Sequence, residues 1–338
     1  MVNIKRDIYL IFSDFKDEFI TELDLQQKDT KTVEAYQTII DNFLEYIYYQ
    51  THINELTEMN HRVLVKFIKY QEEHHNLKKM HKNEKVTYKP FSYHTNMMYK
   101  KALKLFFDFI EEEGEIKLHI KYNKIKFKKD QMEVKSISID QQVILKKYLS
   151  NLYRKYTMTK DKSNLPNEIK SLEYIHTVNL SYKLGLYGAL RAQELCTLKL
   201  SSFSNPYIDN KFLIIDILVE GKGHKQRIVP ILYKYIKKEI EYFKTTRNDS
   251  EILLKNLKGK DITRHNLYYY FSELAKYAKL NIKGIHILRH TCTMNMRENG
   301  VGLGDAQDFL GHSSPSVTRV YYRKSQKAMR RVAGIIGS

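Results

Sequence analysis

The sequence predicts a mainly α-helical protein of two domains, with one small antiparallel β-sheet in the second. Three observations carry this expectation. Apolar residues recur every three or four positions through most of the chain. That period breaks once, around residues 212–231, into β-branched runs on either side of a glycine-bearing turn. The chain has 338 residues, more than the roughly 250–300 that one hydrophobic core usually supports.

The elements follow in order. Residues 31–47 place Tyr36, Ile39, Ile40, Phe43, Leu44 and Ile47 at helical spacing, with Asp29 and Thr30 as N-cap oxygens. Residues 56–70 repeat the habit with Val63, Leu64, Phe67 and Ile68. A third helix begins after Pro90, capped by Ser92 or Thr95, and ends at Gly114. Residues 78–89 read as a lysine-rich surface loop. The lysine-rich span 117–135 has no sustained period, and the interdomain linker is placed at 125–137, between domains 1–124 and 138–338. Ser138 and Asp140 cap a helix to about Leu149, and residues 157–170 are a polar loop. Helices follow at about 168–186 and 191–198. Strands at 212–220 and 225–231 form a hairpin. Helices resume at 233–243, 264–278, 286–299, 303–310 and 314–324, and the chain closes on a helical tail.

Charge narrows the partner. Lys and Arg total 57 against 39 Asp and Glu, a net charge of +18, which points to a polyanion: DNA, RNA or an anionic membrane surface. No stretch approaches the roughly 20 apolar residues of a membrane span. The first ten residues carry Lys5, Arg6 and Asp7 and lack a signal-peptide pattern. A cytoplasmic protein is expected. The two cysteines, Cys196 and Cys292, have no metal or disulfide spacing and read as buried thiols.

Four segments of the second domain carry candidate chemistry. The first holds Gly188, Arg191, Glu194 and Leu195. The second holds Lys222 between two glycines, then Lys225 and Arg227. The third is His286-Ile-Leu-Arg289-His290-Thr291. The fourth runs from Leu310-Gly311-His312-Ser313 to Tyr321 and Tyr322. His286 and His290 share a helix face, but a zinc-peptidase pattern needs Glu directly after the first His, and Ile287 stands there. No phosphate-binding loop and no two-metal carboxylate cluster occur in the sequence. Each segment alone reads as an ordinary helix pair or turn.

Their order does not. Arg191, Lys222, His286, Arg289, Gly311-His312 and Tyr321, with nine residues from His312 to Tyr321, resemble the tyrosine recombinase (phage integrase) family. The likeness covers the second domain. The first, through Thr32-x-x-x-Tyr36 and Phe106-Phe107, looks like the family's core-DNA-binding domain. The early start of those helices gives the chain a Xer-type look. Arg323 stands where the family often has His. Tyr322 beside Tyr321, and Lys225 beside Lys222, stay open as rivals.

The resemblance implies a metal- and ATP-independent DNA strand transferase without cofactor, built as a C-shaped two-domain clamp. Tyr321 attacks the phosphodiester to give a 3′-phosphotyrosine. Arg191 and Arg289 stabilise charge on the nonbridging oxygens. Glu194 orients Arg191, His286 takes the phenol proton, His312 binds a nonbridging oxygen and Lys222 protonates the 5′-hydroxyl; His290 has a supporting role. Expected partners are a double-stranded DNA recombination site, three further copies in a tetramer joined by exchanged C-terminal tails, and a septal DNA translocase, with chromosome-dimer resolution at a dif-like site as the task. The alternatives are a transposon or phage integrase, a catalytically inactive DNA-binding accessory protein, or an RNA-binding module.

Overall fold

A computed structural model of the chain describes residues 2–53, 55–82, 88–129, 136–161, 171–221, 225–311 and 315–322. The chain divides into two compact units, Met1–Met132 and Glu133–Ser338. The division falls within residues 125–137. Ile125 and Phe127 pack on the first core, and Ile137 belongs to the second.

The first unit comprises α1 (Val2–Leu25), α2 (Thr30–Gln50), α3 (His61–Lys82) and α4 (Tyr93–Glu113). Asp29 caps α2 by accepting from the Thr32 amide, and Ser92 caps α4 by accepting from the Thr95 amide. The apolar residues expected on α2 and α4 form the core with α1. Its centre is aromatic: Phe43 meets Phe12, Phe67 and Phe107, mostly edge to face.

Two features differ from the sequence reading. Helix α1 was not assigned, although Ile8, Phe12, Phe19 and Leu23 lie on one helical face and are buried. Helix α3 does not stop near Tyr70; it runs twelve residues further, to Lys82, into the stretch expected as a loop. The apolar period lapses there because the inward positions are polar and bonded. Asn76 is buried and exchanges two bonds with the Lys89 backbone, both at 3.0 Å. Glu72 accepts from the Phe91 amide at 2.6 Å and from the Tyr88 hydroxyl. A buried polar group with satisfied bonds fills a core position without an apolar signal.

The second unit begins with α5 (Ile139–Met158), capped by Ser138 and Gln141. Then come α6 (Leu172–Tyr187) and the short α7 (Ala192–Cys196). A three-stranded antiparallel sheet follows: β1 (Tyr207–Asp209), β2 (Phe212–Glu220) and β3 (Gln226–Leu232), in the order β1-β2-β3. Strand β1 was not foreseen. A two-residue turn joins it to β2, and both turn residues, Asn210 and Lys211, have positive φ (45° and 73°), as a type I′ hairpin turn requires. The remaining helices are α8 (Tyr233–Thr246), α9 (Arg264–Tyr277), α10 (His286–Glu298), α11 (Leu303–Leu310) and α12 (Pro315–Tyr322).

Helix α6 is apolar or small on nearly every face because it is enclosed by its neighbours. On the sheet, Ile215, Ile217, Val219, Val229 and Ile231 face inward, and α8 packs against that side. Helix α10 is moored by Leu288, fully buried, and by Thr291, whose hydroxyl accepts from the Ile137 amide at 2.9 Å. Cys196 and Cys292 are buried, and burial pushes their thiols up to about 11 and about 12, out of the reactive range. No helix among the described residues is long and apolar enough to cross a membrane.

The aromatic centre sets a stability test. Phe43 is 0% exposed, so Phe43→Ala should cost about 3–5 kcal/mol, read as a shift in urea midpoint by circular dichroism. Tyr49→Ala, at a residue 72% exposed, should change stability by less than about 0.5 kcal/mol.

Candidate active site

Three arginines converge on one helix end. Helix α11 stops at Leu310, and Gly311 follows in the left-handed conformation (φ 60°). A helix terminus leaves its last carbonyls unpaired, and here three successive ones each receive a guanidinium. Arg227 on β3 donates from Nε to Phe309 O at 3.1 Å. Arg289 on α10 donates to Leu310 O at 2.7 Å and to Ala189 O. Arg191, just ahead of α7, donates to Gly311 O at 3.1 Å. The negative end of the helix dipole favours cations at this place.

One carboxylate ties two of these arginines together. Glu194 accepts both arms of the Arg227 fork, at 2.7 and 2.9 Å. It also accepts from Arg191 Nη1 and from the Arg191 backbone amide, each at 2.7 Å. Burial would raise its pKa, but Arg227 and then Arg191 outweigh it and hold the carboxyl down at about 2. The arginines differ in access. The side chain of Arg191 is 32% exposed and that of Arg227 is 11%, while Arg289 as a residue is 4% exposed.

The tyrosines separate by their partners. Tyr321 is buried, and its hydroxyl meets Nδ1 of His290. Burial raises its pKa, with nearby Arg289 opposing. Tyr322 points elsewhere and donates to Val301 O at 3.1 Å. Arg297 on α10 holds the Tyr321 carbonyl at 2.9 Å, so α12 is pinned to α10 through the backbone of the buried tyrosine.

His290, not His286, touches the Tyr321 hydroxyl. His286 stands edge-on to His290, with ring centres 5.3 Å apart. It lies close enough to Arg289, Arg191 and Glu194 to feel their charge. Burial, then these cations, lowers its pKa. Burial, then His286 and Arg289, takes His290 down to about 4. Both rings are therefore neutral near pH 7.

The structure thus brings together Arg191, Glu194, His286, Arg289, His290 and Tyr321. Lys222, His312 and the tail after Tyr322 lie outside the described residues. Lys225 is exposed at the foot of β3, where its carbonyl accepts from the Gly221 amide at 2.8 Å. Arg227 stands in the hairpin segment quoted from the sequence but was given no role there. It alternates with the buried Val229 and Ile231, which puts it on the inward side of β3.

Gly311 is required twice over. A Cβ there would meet Arg227 Cδ at 2.7 Å, in a backbone conformation that L side chains rarely adopt. Gly311→Ala should destabilise the second unit by about 1–3 kcal/mol, measured by thermal denaturation. Gly259→Ala, at a positive φ with open space around it, should cost only the backbone strain, about 1–2 kcal/mol.

Residues 161–328 match the phage integrase family. The tyrosine recombinase XerA of Thermococcus onnurineus is 33% identical over 162 residues, 45% of this chain and 55% of that protein. The chain spans little more than half the length of such curated relatives. A crystal structure of the XerH site-specific recombinase bound to difH substrate shares the fold, with a TM-score of 0.62 at 20% identity, covering 90% of this chain and 79% of that one. The Tn1549 transposon integrase in complex with transposon right end DNA does so equally, with a TM-score of 0.63 at 14% identity and coverage of 96% and 99%. With the ordered arginine, histidine and tyrosine motifs gathered near one helix end, residues 161–328 form a domain of the phage integrase family, the tyrosine recombinases.

Proposed function

We propose that this chain is a site-specific DNA recombinase that cleaves and rejoins DNA through a 3′-phosphotyrosine on Tyr321, acting on a dif-like chromosomal site. The observation that carries the reading is the pairing of the Tyr321 hydroxyl with His290 beside Arg289 and Arg191, while Tyr322 is engaged on Val301.

The chemistry follows from the groups. Tyr321 Oη attacks phosphorus, the bond to the 5′ oxygen breaks, and the phosphate passes to tyrosine. Two charges must be handled besides the bond itself. The phenol proton goes to His290, whose Nδ1 already faces it and accepts in the Nε2-protonated tautomer. Charge growing on the nonbridging oxygens is met by Arg191, the most open guanidinium of the three, with Arg289 behind it. His286, among the arginines, faces the phosphate rather than the phenol. Lys222 remains the proposed donor to the leaving 5′ oxygen, and His312 the proposed ligand of a nonbridging oxygen. The tyrosine ester retains the bond energy, so rejoining needs no ATP. Recombination between two sites calls for four copies on DNA, and a septal translocase is the proposed activator in chromosome-dimer resolution. Charge of +18 supports tight, strongly salt-dependent DNA binding.

Tyr321→Phe should abolish the covalent protein–DNA adduct on a nicked substrate while DNA affinity stays within about threefold, since one hydroxyl makes a small part of an interface dominated by phosphate contacts. Adduct from Tyr321→Phe together with loss in Tyr322→Phe would reverse the assignment. Sequencing DNA from the adduct formed in cells separates a single chromosomal locus from the ends of a mobile element.

The histidines set the pH response. A lowered pKa keeps His290 neutral at every pH above about 4, and protonation below that removes the acceptor. DNA phosphate raises the value, yet the acid limb of single-turnover adduct formation should still lie below pH 6.5, the ordinary histidine value. A limb above 6.5 would count against His290 as the acceptor.

A further inference from the structure

We infer that Arg227 is a positioning residue of the cleavage site: it neutralises Glu194 so that the charge of Arg191 remains available to the scissile phosphate. The inference rests on the proposed reading of the site and extends it to a residue outside the arginine, lysine and histidine set identified by motif.

Arg227 does not reach the phosphate itself. Its side chain is 11% exposed against 32% for Arg191. Its guanidinium is committed, with both terminal nitrogens on Glu194 and Nε on Phe309 O. What it does is electrostatic. Glu194 is 2% exposed, so its charge is poorly screened and must be met by neighbours. Two guanidiniums share it, and Arg227 takes the bidentate place. Arg191 gives Glu194 only Nη1 and its backbone amide, while Nη2 reaches Gly311 O.

Without Arg227 the balance changes. Glu194 and Arg191 become a one-to-one pair with no net charge, and the carboxylate is free to turn both oxygens toward Arg191. Charge stabilisation of the nonbridging oxygens weakens. The turn at Gly311 also loses the side chain packed beneath it, at 2.7 Å from where a Cβ would be. One arginine thus holds the Glu194 carboxylate and the end of α11 together.

The test compares single-turnover adduct formation by the full chain on two nicked substrates. One carries the natural scissile phosphate and the other a neutral methylphosphonate at the same place. Arg227→Met keeps volume and removes charge. On the natural substrate it should slow adduct formation by about 10–100-fold, below the roughly 100–1,000-fold of deleting a direct donor. On the methylphosphonate, which carries one negative charge fewer through the reaction, the loss should fall to about threefold or less. Equal losses on both substrates mean that Arg227 only supports the fold, and overturn the inference.

Arg227→Lys, which keeps the charge without the fork, is the second variant. It should recover at least about tenfold of the Arg227→Met loss on the natural substrate. If Arg227→Met does not fold, the comparison of Arg227→Lys with the unaltered chain decides: a defect confined to the natural phosphate supports the inference, and one shared by both substrates overturns it. Failure of the functional reading is distinct. It shows as no Tyr321-dependent adduct from the unaltered chain, and it removes the inference with it.

Discussion

The buried carboxylate of Glu194 is the constraint on which the site depends. A nearly inaccessible negative charge is costly unless paired and hydrogen-bonded, and this one accepts four donors from two arginines. Those arginines come from different elements, one ahead of α7 and one on β3. The pairing therefore stitches the sheet to the helical layer. It also joins both to the end of α11, because each arginine spends a further N–H on a carbonyl there.

The same helix end explains how α10 and α12 are set. Arg289 reaches across from α10 to the carbonyls of Leu310 and Ala189, so its guanidinium is placed by two backbone segments and not by solvent. At the next residue along α10, His290 meets Tyr321, and Arg297 secures the backbone of that tyrosine. Tyr322 contributes by being occupied: its bond to Val301 fixes the rotation of α12 that turns its neighbour inward. Spacing from His312 nominated Tyr321, but two adjacent residues on a helix point about 100° apart, and only one of them can face the arginines.

Legibility from sequence followed the kind of signal each feature carried. Apolar periodicity located α2 and α4 because their buried faces are built largely from Ile, Leu and Phe. It failed along α3, where Glu72 and Asn76 serve the interior through hydrogen bonds and leave no hydrophobic trace. Arg191, Arg289 and Tyr321 were readable as ordered motifs. Which of His286 and His290 meets the Tyr321 hydroxyl was not legible, since residues four apart share a face and only the position of α12 decides it. Arg227 escaped for a related reason. A basic residue in a lysine-rich hairpin looks like solvent-facing charge, and nothing local says that β3 carries it against a carboxylate on α7.

Three guanidiniums around one carboxylate leave the site with unbalanced positive charge before any substrate arrives. Burial and neighbouring Arg191 and Arg227 press Arg289 toward a lower proton affinity, about 9, with Glu194 offsetting part of the effect. A guanidinium does not deprotonate near neutrality, so the shift marks a buried cation, crowded by two like charges, and not a titration. In the proposed reaction a phosphodiester would offset that crowding, and the more so as its oxygens gain charge toward the transition state. Glu194 sets how much positive charge is left over. With no carboxylate the arginines would splay apart, and with a second the phosphate would gain little. A single shared carboxylate holds the guanidiniums close enough to act together and leaves their excess charge for the phosphate.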